Sequence, residues 1–192
     1  MSLKPEIIKH LADKSAAGLP EVWQAPVEEI RKNTLSHLAL SQPLIDIYKV
    51  EHKTIAGPTS DLPIRIYRPS DKKDLPVLVF FHGGGWVLNF LDIYEPALRK
   101  VAKNGEFVII AVQYQKAPEQ PFPTPFNDCY ATLEWVVNNS TDLGIDLTAI
   151  GVGGDSAGGN LASAVALKAR DTGLINLAFQ LLIYPCNEIS MD

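Results

Sequence analysis

Ala149-Ile150-Gly151-Val152-Gly153-Gly154-Asp155-Ser156-Ala157-Gly158-Gly159-Asn160 carries the decisive reading of this chain. The apolar run at 149–152 reads as a buried strand, and from 159 to about 170 the apolar positions repeat at helical spacing. Between them lies Gly154-Asp155-Ser156-Ala157-Gly158, a Gly-x-Ser-x-Gly pentapeptide. In a strand–turn–helix setting that pattern is a nucleophile elbow, with the serine on a strained turn and its oxygen exposed above a sheet. The small residues have a steric reason. A strand that turns directly into a helix leaves no room for side chains beside the nucleophile, and a serine forced towards positive φ needs uncrowded neighbours.

Upstream, residues 77–81 are apolar almost without interruption, as in a strand buried on both faces. His82-Gly83-Gly84-Gly85-Trp86 follows directly. Three successive glycines let the backbone aim its amides at one point, which is what an oxyanion hole requires. One motif thus supplies a nucleophile and the other supplies donors for the charge on an attacked carbonyl oxygen. Each follows a different strand, in the chain order an acyl-transfer site needs.

The remaining pattern is an alternation. Leu3, Ile7, Ile8 and Leu11 repeat at helical spacing, and a second helical pattern opens at Pro26 and runs through Ile30, Leu35 and Leu38. These two helices are expected to pack on the main domain or to form a lid, with Trp23 as an apolar wall. Strands are expected at 45–50 and 64–67, joined by the polar break at 57–61 as an antiparallel start to the sheet. A helix capped by Asp92-Ile93-Tyr94-Glu95 and ending near Gly105 comes next, then a strand at 107–112. A helix from Thr124 and a strand at 179–184 complete the series. Strands alternating with helices imply a mostly parallel α/β sheet covered on both faces. The boundary falls near 44, with 1–44 a helical cap segment and 45–192 the core.

Phe81-His82-Gly83-Gly84-Gly85-Trp86, Ala117-Pro118-Glu119 with Pro121-Phe122-Pro123, and Gly154-Asp155-Ser156-Ala157-Gly158-Gly159-Asn160 together resemble the hormone-sensitive-lipase-like branch of the α/β-hydrolases. The resemblance implies the α/β-hydrolase fold, an esterase or lipase activity on carboxylic esters, and a helical cap built partly from the N-terminal segment. Carried onto this chain, it makes Ser156 the nucleophile and the amides of Gly84, Gly85 and Ala157 the oxyanion donors, with Gly83 shaping the loop. His82 is expected to stabilise the loop and Asp155 to make local hydrogen bonds. Three departures stand out. Gln113-Tyr114-Gln115 replaces the usual Asp-Tyr-Arg, Gln120 stands where histidine is common, and Asn89 stands where glycine is usual. The lost charges at 113, 115 and 120 are expected to loosen a loop beside the site.

A serine needs a histidine to take its proton and an acid to hold that histidine. In this fold both follow the serine in the chain. All four histidines (His10, His37, His52 and His82) precede Ser156. The acid and the base are therefore expected beyond Asp192, with further strands, and the 192 residues alone are expected to be weakly active or inactive.

Composition sets the outer limits. In 192 residues, 46% are hydrophobic and 20% charged, with a net charge of −5. That is an ordinary globular balance, and it argues against nucleic acid or an anionic membrane surface as a partner. No run is apolar and long enough for stable membrane insertion, and residues 1–18 lack the continuous apolar core of a signal peptide, so a cytoplasmic location is expected. Cys129 and Cys186 have no metal-ligand spacing and read as free thiols. Neither a metal nor an organic cofactor is implied. The expected partner is a small-molecule ester with a small to medium acyl group, and a homo-oligomer stays open. The alternatives are a non-catalytic small-molecule binder on the same scaffold, or an interaction module using an open sheet edge.

Overall fold

The computed structural model describes residues 3–17, 24–36, 38 and 43–188. Its elements run α1 (Pro5–Ala16), α2 (Val27–Ser36), β1 (Lys49–Ala56), β2 (Asp61–Arg68), β3 (Leu75–Phe81), α3 (Leu91–Gly105) and β4 (Val108–Val112). Then come α4 (Thr124–Asn138), α5 (Ser140–Leu143), β5 (Ile145–Asp155), α6 (Ala157–Thr172) and β6 (Phe179–Ile183). The strands form one sheet in the order β1-β2-β4-β3-β5-β6. β1 and β2 are antiparallel, β2 and β4 are antiparallel, and β4, β3, β5 and β6 run parallel. Helices cover both faces, as the alternation of periods requires.

β3 shows how sequence becomes layer. Alternate side chains of a strand point to opposite faces. Val77, Val79 and Phe81 join Ile110, Leu133, Val136, Leu161 and Val165 in a core between the sheet and α4/α6. Leu78 and Phe80 join Leu98, Ala102, Ile109 and Ala111 in a second core under α3. A strand buried from both sides has no solvated face, so its sequence shows no polar alternation. The ends of β3 and β5 emerge side by side, with Phe81 in register with Gly154. This register places the two glycine motifs next to each other.

Several expectations need correction. The first strand begins at Lys49 rather than 45 and carries the polar His52, Lys53 and Thr54 on an edge with much of its surface exposed. α3 starts at Leu91, and Asp92-Ile93-Tyr94-Glu95 does not cap it. Asp92 and Glu95 are instead spent on Arg65, at 2.6 and 2.5 Å, and Gln113 Oε1 accepts the Leu91 amide from another element at 3.0 Å. Glu106 ends that helix with φ of 52°, where glycine would be the usual choice. α2 is described over Val27–Ser36, and the residue between it and the expected end at Leu38 lies outside the described residues. The apolar stripe of α1 is not packed: Leu3, Ile7, Ile8 and Leu11 are all about half exposed. Trp23 and His37 lie outside the described residues. Among the described residues no helix is long and apolar enough to cross a membrane. Cys129 and Cys186 are both free thiols, the former fully buried.

Candidate active site

β5 delivers Ser156 at its C-terminal end, and α6 starts at the next residue. Ser156 has φ 52° and ψ −119°, a backbone conformation that costs a non-glycine residue about 1–3 kcal/mol. The turn holds it by main-chain bonds on both sides. Its N–H donates to Ile183 O (3.0 Å), and its carbonyl accepts from Asn160 N and Cys186 N, each at 3.1 Å. Close approach explains the small neighbours, since a Cβ at Gly154 or Gly158 would run into the Phe81 carbonyl. The side chain of Ser156 stands at the N-terminus of a 16-residue helix, whose unpaired amides and dipole favour negative charge.

The loop after β3 faces this turn. Gly84 and Gly85 take positive φ (115° and 61°), as does Trp86 (60°). Val87 N and Leu88 N fold back onto Gly84 O at 3.1 and 2.8 Å, closing a tight turn. Among the described residues, the amides of Gly84, Gly85 and Ala157 donate to no acceptor in the chain. They are available to a ligand.

Asp155 does more than the local bonding expected of it. Its Oδ1 accepts the Gly83 amide at 2.9 Å and its Oδ2 accepts the Tyr94 hydroxyl at 3.0 Å, spanning 72 and 61 residues. It ties the end of β5 to the glycine loop and to α3. Burial, then the neighbouring Asp155 charge, pushes the Tyr94 phenol well up, so it stays a neutral donor. His82 is fully buried and stacked on Tyr114, ring centroids 4.2 Å apart. Its Nδ1 donates to Gly83 O (2.8 Å), so in the neutral ring Nε2 is the acceptor, and the Gln113 amide faces it at 3.5 Å. Burial lowers its pKa to about 3, overriding the opposing bond to Gly83. His82 is thus a neutral, occupied ring.

The glutamines correct another expectation. Gln113 bridges His82 and the start of α3, while the Gln115 side chain donates to Thr59 Oγ1 (2.7 Å) and to the buried Asp128 (3.2 Å). Neutral amides have replaced charged groups without freeing the loop. Burial lifts the Asp128 carboxyl, against the Gln115 bonds that lower it. Sequence reading also missed Arg31, an unremarkable cation in an amphipathic helix. From α2 its guanidinium donates to Val87 O (2.8 Å) and Ala117 O (2.9 Å) and makes a two-pronged pair with Glu119 at 2.7 and 2.9 Å. That pair holds Glu119 down at about 2. Nearby Lys116, over the Phe90 ring at 4.8 Å, is lowered to about 8 by burial and then by Arg31.

Beside the loop opens a cavity of about 380 Å³, lined chiefly by Gly85, Trp86, Phe122, Phe126, Leu161 and Ala164. Its volume lies within the usual range for small-molecule sites. Among the described residues, no three metal-ligating side chains come together.

Residues 78–192 match the family model for the alpha/beta hydrolase fold. The chain belongs to the α/β-hydrolase family. Proteins similar to it include carboxylesterases and an arylesterase. Carboxylesterase NlhH of Mycobacterium tuberculosis is 40% identical over 159 residues, covering 82% of this chain and 50% of that protein. An arylesterase of Saccharolobus solfataricus is 34% identical, covering 96% of this chain and 60% of that one. The structure of a hyperthermophilic esterase from the archaeon Pyrobaculum calidifontis superposes with a TM-score of 0.87 at 37% identity, covering 97% of this hydrolase chain and 60% of that one. The chain spans half of the length of the first of these relatives and three fifths of the second.

Proposed function

We propose that this α/β-hydrolase chain carries the nucleophile and oxyanion half of a serine carboxylesterase. The observation that carries the reading is the strained Ser156 turn held against the glycine loop by Asp155. Ser156 Oγ attacks the ester carbonyl carbon while its proton passes to a histidine. The carbonyl oxygen gains the negative charge and is met by the amides of Gly84, Gly85 and Ala157. Collapse of that intermediate breaks the carbon–oxygen bond to the alcohol, which leaves with the proton, and the acyl group stays on Ser156. Water then releases the acid by the same steps. His82 is not that histidine, since it is buried with both ring nitrogens engaged, and we place the base and its acid outside these 192 residues.

The acyl group of a small to medium ester fits the apolar cavity beside Gly85. Residues 1–44 act as part of a cap, an assignment favoured by Arg31 seating α2 on the loop that follows the oxyanion glycines. The test uses the longer protein containing this chain. A fluorophosphonate probe should attach to Ser156, and Ser156→Ala should lower p-nitrophenyl acetate turnover by about a million-fold. Labelling elsewhere, or turnover that survives Ser156→Ala, would overturn the reading. Equal Ser156-dependent rates for the 192-residue chain and the longer protein would sink the division of the triad.

A further inference from the structure

We propose that Asn89 and Tyr94 form a positioning clamp that aims the Gly84 amide at the reacting oxygen. The inference rests on the esterase reading above. Asn89 has φ of 68°, where glycine is the least strained residue. Its side chain makes use of that position. Nδ2 donates to Gly83 O at 3.0 Å and to the Tyr94 hydroxyl at 3.2 Å. It also lies close against Gly84, where an added Cβ would come within 2.8 Å of it.

The peptide bond converts these contacts into direction. Gly83 C=O and Gly84 N–H belong to one planar trans unit and point opposite ways. Asn89 Nδ2 and His82 Nδ1 hold the oxygen end of that unit. Whatever holds the carbonyl therefore sets where the Gly84 N–H points. The preceding amide, Gly83 N–H, is shared between Asp155 Oδ1 (2.9 Å) and Tyr94 Oη (3.0 Å). Tyr94 completes the frame: its hydroxyl donates to Asp155 Oδ2 and accepts from Gly83 N and Asn89 Nδ2, filling its one donor and two acceptor sites. Three elements meet at this one oxygen, namely the loop after β3, α3, and the end of β5 beside Ser156. An oxyanion donor acts by being held in place before the charge develops, so loosening its frame slows the chemical step more than it weakens substrate binding.

Asn89→Gly in the longer, active protein separates this role from a structural one. Glycine relieves the backbone but removes two hydrogen bonds, so Tm reports only the balance of the two, and a residue that matters only for folding would leave kcat unchanged whatever the Tm. The clamp predicts a kcat about tenfold lower at a temperature where the variant is fully folded, with KM within about twofold of wild type. Affinity for a trifluoromethyl ketone, which forms the oxyanion on Ser156, should fall by a similar factor. Tyr94→Phe keeps the ring between Phe80 and His82 and makes the same measurement through the other arm of the clamp. The double variant should lose less than the product of the two single losses. Unchanged kcat and ketone affinity in both variants would overturn the clamp. If wild type shows no Ser156-dependent turnover, the esterase reading has failed instead, and the clamp fails with it.

Discussion

A methyl group added at Gly158 would lie 2.7 Å from the His82 carbonyl and closer still to that of Phe81, with backbone on every side to resist it. Gly158→Ala should therefore lose about 3 kcal/mol or more of stability in urea, at the upper end of overpacking costs. Gly85→Ala meets nothing within 4 Å and pays only for its φ of 61°, about 1 kcal/mol. Ser156 has the opposite sign, because its conformation is one that glycine prefers. Ser156→Gly should be about 1 kcal/mol more stable than Ser156→Ala while being equally inactive. His82 adds a pH dependence. Folded, it resists protonation down to about pH 3, whereas unfolded it takes a proton near 6.5. Protons then favour the unfolded chain between those values, so its contribution is full above pH 6.5 and shrinks as pH falls towards 3. From pH 7.5 to 5 this group alone should remove about 2 kcal/mol. Urea midpoints of wild type and His82→Gln at both pH values would check it, the gap between them narrowing by that amount at pH 5.

At the scale of elements, charge placement separates two acids on one helix. Glu95 is largely buried between Arg65 and Arg99, whereas Asp92 is more than half exposed. Glu95→Ala should cost about 3 kcal/mol by leaving Arg99 without its carboxylate and Arg65 with Asp92 alone, and Asp92→Ala under about 1 kcal/mol, by thermal or chemical denaturation. These acids also show what was legible in the sequence. Asp92 and Glu95 look like a helix-capping pattern, because local spacing is all a one-dimensional reading can weigh. Arg65, 27 and 30 residues away, outbid the helix end for them. The same limit hid Arg31 and turned Gln113 and Gln115 into an expected weakness, since their partners are distant in sequence. By contrast, the order of strands and helices, the turn at Ser156 and the glycine loop were readable throughout. Each depends on period or on steric demand within a few residues. α5 escaped notice because four residues make barely one turn, too few for a period to repeat.

For the whole molecule, the sheet is protected unevenly. β6 pairs only with β5 among the described residues, and Phe179, Leu181 and Leu182 on it remain about a third exposed. An apolar edge strand invites pairing with another chain. The 192-residue chain should self-associate as its concentration rises, and Leu181→Lys should reduce this in sedimentation velocity runs; association unaffected by the lysine would place the contact elsewhere. On the N-terminal side, α2 reaches the loop after the glycines through Arg31. Arg31 grips the Val87 carbonyl, and the Val87 amide is bonded to Gly84 O. Two hydrogen bonds thus separate α2 from the glycine loop. Anyone who appends a purification tag on the N-terminal side, or trims residues there to aid crystallisation, is handling the far end of a lever whose near end is the candidate site.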